Sequence, residues 1–185
     1  MHLQSARLYW ARLPDANLNH ANLSGAHITV CPSDRASLIG ADLSISYLNV
    51  VNLVDADLTG ANLTGACLSK VNFSGAAFDG AIFNGTLLGV VDLSAANGLS
   101  SVKHIAPSVV SIDAFYKSNG RTPRGFLRDA GLQEVAIDYL LSMTRTPFQF
   151  YSCVISHSSA DTHSQRESIQ IFRTLAFALG SPRRT

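Results

Sequence analysis

From Leu3 to Leu93 every fifth residue is apolar: Leu3, Leu8, Leu13, Leu18, Leu23 and Ile28, then an unbroken leucine series from Leu38 to Leu68, then Phe73, Phe78, Phe83, Leu88 and Leu93. Ser33 alone breaks the series. Two residues ahead of each site the side chain is small, most often alanine (Ala6, Ala21, Ala41, Ala61, Ala81), elsewhere Cys31, Ser46, Val51 or Thr86. A step of five fits neither the 3.6-residue turn of a helix nor the two-residue repeat of a strand. On a helix the leucines would spiral, advancing about 140° per step; on a flat strand they would alternate between faces. The pattern demands a chain that turns a corner every five residues and returns one large and one small side chain to a common axis. That is a solenoid, in which each coil hides its apolar face only against its neighbours.

Local departures refine this picture. The phase survives Ser33, because Leu38 arrives on time. Pro32 cannot donate to a ladder, and Ser33 and Asp34 favour turns, so a local bulge is expected over 31–35. Gly60, Gly65, Gly75, Gly80 and Gly85 fall two after the core residue, where a tight corner with positive φ suits glycine. Phe73, Phe78 and Phe83 predict a denser C-terminal end. The series begins at Leu3 without a polar cap, so the first coil is expected to pair with another copy or with preceding chain.

Regularity stops after Leu93. Asn97-Gly98 and Asn119-Gly120 read as turns, and 109–112 as a short strand. Thr122 and Pro123 open a helix over Phe126, Leu127 and Ala130 that ends at Gly131. A second helix over 132–143 carries Val135, Ala136, Tyr139, Leu140 and Met143 on one stripe. These two helices predict a lid on the last coil. After a linker at 144–147, residues 148–155 are strongly β-forming, and Ile169, Phe172, Leu175, Ala176 and Leu179 recur at helical spacing. The expected divisions are 1–97, 98–147 and 148–185.

Residues 56–68, ADLTGANLTGACL, and 21–26, ANLSGA, resemble the pentapeptide-repeat proteins, whose motif is A(D/N)LXX. The resemblance covers roughly half the chain. It implies a right-handed quadrilateral β-helix with four pentapeptides per coil, hence about 4.5 coils and a rod roughly 22 Å long at the usual strand spacing. Residues 150–161, FYSCVISHSSAD, are similar to the first box of TIR domains, F-I-S-Y-S-x-x-D, with His157 in place of the usual tyrosine. The stretch 109–143 resembles the connector of bacterial proteins that join such repeats to a TIR domain. The TIR resemblance fades after Asp161, and the family's BB loop and catalytic glutamate find no matching positions, so NAD hydrolysis does not carry over. The expected fold is mainly β: a pentapeptide-repeat solenoid, a small α-helical cap, and a partial α/β segment in which a truncated TIR domain contributes a strand, a loop and a helix.

Composition adds limits. The chain is 46% hydrophobic and only 15% charged, with a net charge of +1, which exerts no global pull on nucleic acid or membrane. Residues 1–97 hold Arg7, Arg12, Arg35 and Lys70 against seven aspartates; 98–185 hold ten bases against six acids. Cys31 takes an inward position as a small hydrophobe, Cys67 faces out, and neither pairs with Cys153 at metal-ligand spacing. Unpaired thiols, an N-terminus without a signal-type apolar stretch and the lack of a membrane-length apolar run predict a cytoplasmic protein. His157, Ser158 and Asp161 are sequence neighbours, whereas a triad is defined in space. His2, His20 and His27 read as outward positions. No catalytic, cofactor-binding or metal-binding residue is assigned, and no cofactor is expected.

The function these features imply is a non-catalytic protein–protein interaction or scaffold module, part of a truncated bacterial-type signalling protein. Its partners would be proteins, among them a TIR domain or another solenoid copy, with a homodimer included; membrane is excluded and nucleic acid disfavoured. Some pentapeptide-repeat proteins mimic DNA and bind topoisomerases, which gives a competing function, although seven aspartates against four bases make a weak acidic field. A TIR-type NAD-handling remnant without its catalytic part is a second competitor, and a gene remnant with no selected function is a third.

Overall fold

The computed structural model describes residues 1–145. Its geometry follows from one dihedral. Every fifth residue from Ser5 to Gly85 has positive φ, between 51° and 74°. At most corners the next amide donates to the carbonyl three residues back, as Ala21 does to Leu18 and Ala61 to Leu58, both at 3.0 Å. Positive φ at the third residue is what a type II turn requires. Glycine fills seven of these corners; the other ten carry side chains, among them Trp10, Val30, Ile45 and Val50. The repeat thus imposes the corner on whatever residue occupies it.

Four such corners make one coil, because the rungs pair in parallel with a register of 20. Strands β1 (Arg7–Tyr9), β2 (His27–Pro32), β3 (Tyr47–Asn52), β4 (Cys67–Ser69), β6 (Leu87–Leu88) and β8 (Val109–Val110) form one six-stranded sheet in that order. Arg7 stands over His27, His27 over Tyr47, and Tyr47 over Cys67. The other faces repeat the register through single bridges such as Asn22 with Asp42, Asn17 with Ser37 and Asn52 with Asn72. Strand β5 (Ile82–Asn84) pairs with β7 (Lys103–Ala106) in a second sheet. The solenoid has about five turns.

The core is the leucine column with its small partners. Leu23, Leu43, Leu58, Leu63, Leu68 and the three phenylalanines Phe73, Phe78 and Phe83 are fully buried. The rings pack edge to face, Phe73 to Phe78 at 5.1 Å and Phe78 to Phe83 at 5.9 Å. Where a hydroxyl takes the small inward position it donates to a carbonyl, Ser46 to Leu43 at 2.6 Å and Thr86 to Leu63 at 2.8 Å, so no polar atom there is left unpaired. At the first coil Leu3, Leu8 and Leu13 are only partly buried.

The expected bulge at 31–35 does not form. β2 keeps its register on either side of the Val30 corner, with Cys31 opposite Val51 and Pro32 opposite Asn52. The Pro32 carbonyl accepts from Leu13 at 2.8 Å, and Ser33 donates its amide to Asn52 at 2.8 Å and accepts from Ala36 at 3.2 Å. Proline loses only the donor that other coils send backward, as His27 sends to Ala6. The corner turn and the neighbouring rungs carry the backbone past it. Ser33 therefore occupies the leucine site, buried, with its Oγ 3.2 Å from the Cys31 Sγ.

The ladder runs on past residue 97 with stretched registers. Ile82 pairs with Lys103 and Leu87 with Val109. A 3-10 turn at Leu99–Ser101, entered through Gly98 at φ 72°, absorbs one added residue. Three helices follow rather than the two expected: α1 (Ile112–Lys117), α2 (Arg124–Asp129) and α3 (Glu134–Arg145). The missed α1 is capped by Ser111, whose Oγ accepts from Ala114 at 3.0 Å. Ser118 ties it to the coil, donating to the Ala114 carbonyl and accepting from the Leu93 amide at 2.9 Å. Phe115, Phe126, Leu127 and Ile137 join the solenoid core, and Arg124 of α2 binds Glu134 and Asp138 of α3 at 2.9 and 2.7 Å. The expectations placed on 148–185, including the strand at 148–155, the TIR-like box with Cys153, His157, Ser158 and Asp161, and the helix near 165–179, lie outside the described residues.

A left-handed conformation costs an L-residue roughly 1–2 kcal/mol, partly offset by the extra chain entropy a glycine loses. Ile45→Gly, at an exposed corner with φ 56°, is therefore expected to raise unfolding free energy by about 0.5–1 kcal/mol in urea titration. Gly75→Ala, at φ 74° and with its new methyl directed at the Asp55 carboxylate, should lower it.

Candidate functional site

At eight core sites, among them Leu23, Leu43, Leu58, Leu63 and Leu93, the repeat places Asn or Asp directly before the core residue, and the structure shows what that residue does. Its side-chain oxygen accepts the amide two residues on: Asn22 from Ser24 at 3.0 Å, Asp42 from Ser44 at 3.0 Å, Asp57 from Thr59 at 2.9 Å, Asn62 from Thr64 at 3.1 Å and Asp92 from Ser94 at 2.8 Å. These are Asx turns, and they lead the chain into the left-handed corner. The carboxylates also find partners between rungs. Asn62 donates to Asp42 at 3.1 Å and Asn52 to Asp34, and Arg35 grips Asp15 through two bonds at 2.7 and 2.8 Å. That hydrogen bond from Arg35, ahead of the charge attraction, holds the Asp15 carboxyl below its ordinary range. The outer surface is therefore four faces of side chains held in rows at rung spacing.

Cys31 is buried and its thiol is pushed up by burial, away from the thiolate form that reacts or binds metal. Cys67 lies partly exposed on the outer face, and His2, His20 and His27 are exposed. Among the described residues no group of three or more His, Cys, Asp or Glu is placed to hold a metal ion, and no helix is long and apolar enough to cross a membrane.

Two interior features escaped the sequence. The first is a cavity of about 20 Å³ along the solenoid axis, bordered by Ser33, Leu13, Leu38, Leu48 and Leu53. It marks the side-chain volume that serine fails to supply. Its lining is almost wholly apolar, so a water there would lack the two to four polar partners it needs. The second is His104. The stretched register sets it opposite Phe83, on an inward position. Its ring lies 5.7 Å from that of Phe83 and 4.9 Å, edge to face, from that of Phe126 in the cap. Both ring nitrogens are buried without a hydrogen-bond partner among the described residues. Burial lowers its pKa below the ordinary histidine value, against a smaller opposing pull from Asp129.

Both features yield measurable expectations. Ser33→Leu restores the core column and removes the buried hydroxyl, and should stabilise the chain by about 1 kcal/mol in chemical denaturation. His104 binds its proton less readily when folded than when unfolded, so the unfolded state holds more protons below the ordinary histidine range and stability rises with pH there. Stability is then full above about pH 6.5 and falls as pH drops below it. His104→Phe should flatten that part of the profile of melting temperature against pH, leaving the loss due to carboxylates at lower pH.

Comparison with known proteins follows the same lines. The family model described as pentapeptide repeats matches residues 2–29 and 36–75, in eight copies; the gap brackets Pro32 and Ser33. No curated protein matches the chain. Among solved structures it is similar to HetL, a pentapeptide repeat protein involved in heterocyst differentiation regulation in the cyanobacterium Nostoc sp. strain PCC 7120, with 25% identity over 60% of this chain and 58% of that one, TM-score 0.32. A pentapeptide repeat protein of the Arabidopsis thaliana thylakoid lumen aligns over 74% of this chain and 88% of its own at 19% identity, TM-score 0.33. QnrB1, a plasmid-mediated fluoroquinolone resistance protein, aligns over 51% of this chain and 71% of its own at 17% identity, TM-score 0.32. The chain spans less than two thirds of the length of HetL. Residues 2–29 and 36–75 are thus pentapeptide repeats, and the coils they build are the body of the solenoid.

Proposed function

We propose that this chain is a non-catalytic scaffold that binds protein partners through the outward faces of its solenoid, in the setting of a signalling protein. The observation that carries this reading is the engagement of the polar side chains. Asn and Asp of the repeat are committed to their own Asx turns and to cross-rung bonds, which holds them in fixed rows. Such rows offer a broad, flat and pre-ordered surface, and pre-ordering lowers the entropy that association costs. Solenoids commonly use their extended surfaces in this way. The TIR-like box at 150–161 supports the signalling setting by resemblance.

Charge weighs against a DNA mimic. A mimic needs a dense array of unneutralised carboxylates, whereas residues 1–97 hold seven aspartates against four bases and Asp15 is paired with Arg35. A photo-crosslinking residue placed singly at Gln4, Asn17, Tyr47 or Asn72 samples each of the four faces. In cells expressing the full chain, discrete protein adducts from one or two of these positions are the expected result. Adducts from none, or the same unselective smear from all four, would remove the scaffold reading, and NAD turnover by the purified chain would replace it with TIR-type chemistry.

A further inference from the structure

The four faces are not equivalent in charge. Residues 6–10, 26–30, 46–50, 66–70 and 86–90 form the face that carries the six-stranded sheet. This face holds Arg7 and Lys70 and not one carboxylate; all seven aspartates of the repeats stand on the other three. Neither cation enters an ion pair among the described residues, unlike Arg35, which Asp15 neutralises. The apolar exposure is concentrated here as well. Tyr9, Trp10, Tyr47, Val50 and Leu87 are exposed on the face, and Val109 extends it onto the last rung. Trp10 is 74% exposed although it occupies a left-handed corner, where asparagine or glycine would be less strained. His27 and Tyr47 lie on adjacent rungs with ring centroids 5.8 Å apart and planes tilted by 42°. Six strands at the usual spacing span about 24 Å, long enough for a short extended segment.

We propose that this face is the docking surface of the scaffold, and that its occupant is an acidic segment of a partner protein bearing aromatic or aliphatic side chains. The assignment rests on the scaffold reading and names which face acts and what it takes. Charge complementarity selects the occupant. Cations without local counter-charges steer an acidic partner and fix its register, while exposed Tyr and Trp are the side chains that dominate binding energy at interfaces. A polynucleotide would meet only two fixed cations, too few for the six or so phosphate contacts that give usable affinity. A second copy presenting an aspartate-bearing face would make a head-to-tail contact that propagates rather than closes.

The test is fluorescence anisotropy on the full chain with two labelled short peptides, one alternating Asp or Glu with Phe or Leu, the other carrying Lys in place of the acids. The acidic peptide should bind, more weakly as salt rises, and the basic peptide should not. Arg7→Glu with Lys70→Asp should weaken the acidic peptide roughly tenfold or more, and Trp10→Asn, which keeps a left-handed corner, by a similar factor. Lys103→Glu, off this face, should leave it unchanged. Circular dichroism melts confirm that each variant is folded. The proposal is overturned if both peptides bind alike, if neither binds, or if Lys103→Glu weakens binding as much as the face variants. It is equally overturned if oligo-dT or phosphatidylserine vesicles bind this face while the acidic peptide does not, or if the chain polymerises through it in sedimentation. Crosslinks confined to Gln4, Asn17 or Asn72 would retain the scaffold and reject this face; crosslinks from no face would reject both.

Discussion

The left-handed corner at every fifth residue is the constraint on which the rest depends. It fixes the side length at five residues, the coil at 20, and hence the register in which each rung lies on the next. Once the register is set, leucine stands on leucine, amide faces carbonyl, and asparagine meets aspartate. The cost is borne locally. Ten corners hold L-residues at φ between 51° and 61°, a conformation disfavoured for bulky and β-branched side chains. They persist because the amides and carbonyls on either side are paired with neighbouring coils, so relaxing one corner would unpair two rungs. Strain in this fold is distributed along the edges, and the ladder holds it there.

Much of this architecture was legible in the sequence, since a five-residue beat admits few geometries. The corner glycines were legible for the same reason, but the corner itself was not seen as universal. Residues such as Ile45 and Val50 argue against positive φ when read singly, and only the shared register forces it on them. Pro32 and Ser33 show the reverse. Local rules predict a bulge, yet the rungs on both sides hold the register and turn the mismatch into a small void. The serine is plain in the sequence; its inward placement is decided by neighbours 20 residues away.

The C-terminal end was harder to read. Helices α2 and α3 were legible as helices, but the stripe read on α3 was the wrong face: Val135, Ala136 and Tyr139 are exposed, and Ile137 is the residue buried against the core. Helix α1 was hidden because its six residues, Ile112–Lys117, continue a β-forming run, and the serines that hold it bond to carbonyls and amides of the last coils. His104 had no sequence signal. Its inward position exists only because one residue is absorbed at Leu99–Ser101. The charge contrast between faces was likewise invisible to a sum over residues 1–97, which merges four surfaces that point in four directions.

The stretched registers carry a consequence for how such a chain can change length. A single added residue inside the repeat rotates every later side chain off its column unless a turn absorbs it, as the turn at Leu99–Ser101 does. Here the extra residues fall where Lys103 and Val109 form the last rungs, just before the helices, with no further coil to match. A gain or loss of 20 residues needs no such turn, and moves the helical end along the axis without altering its seat. Homologues of this protein should differ by whole storeys between a common roof and a variable foundation.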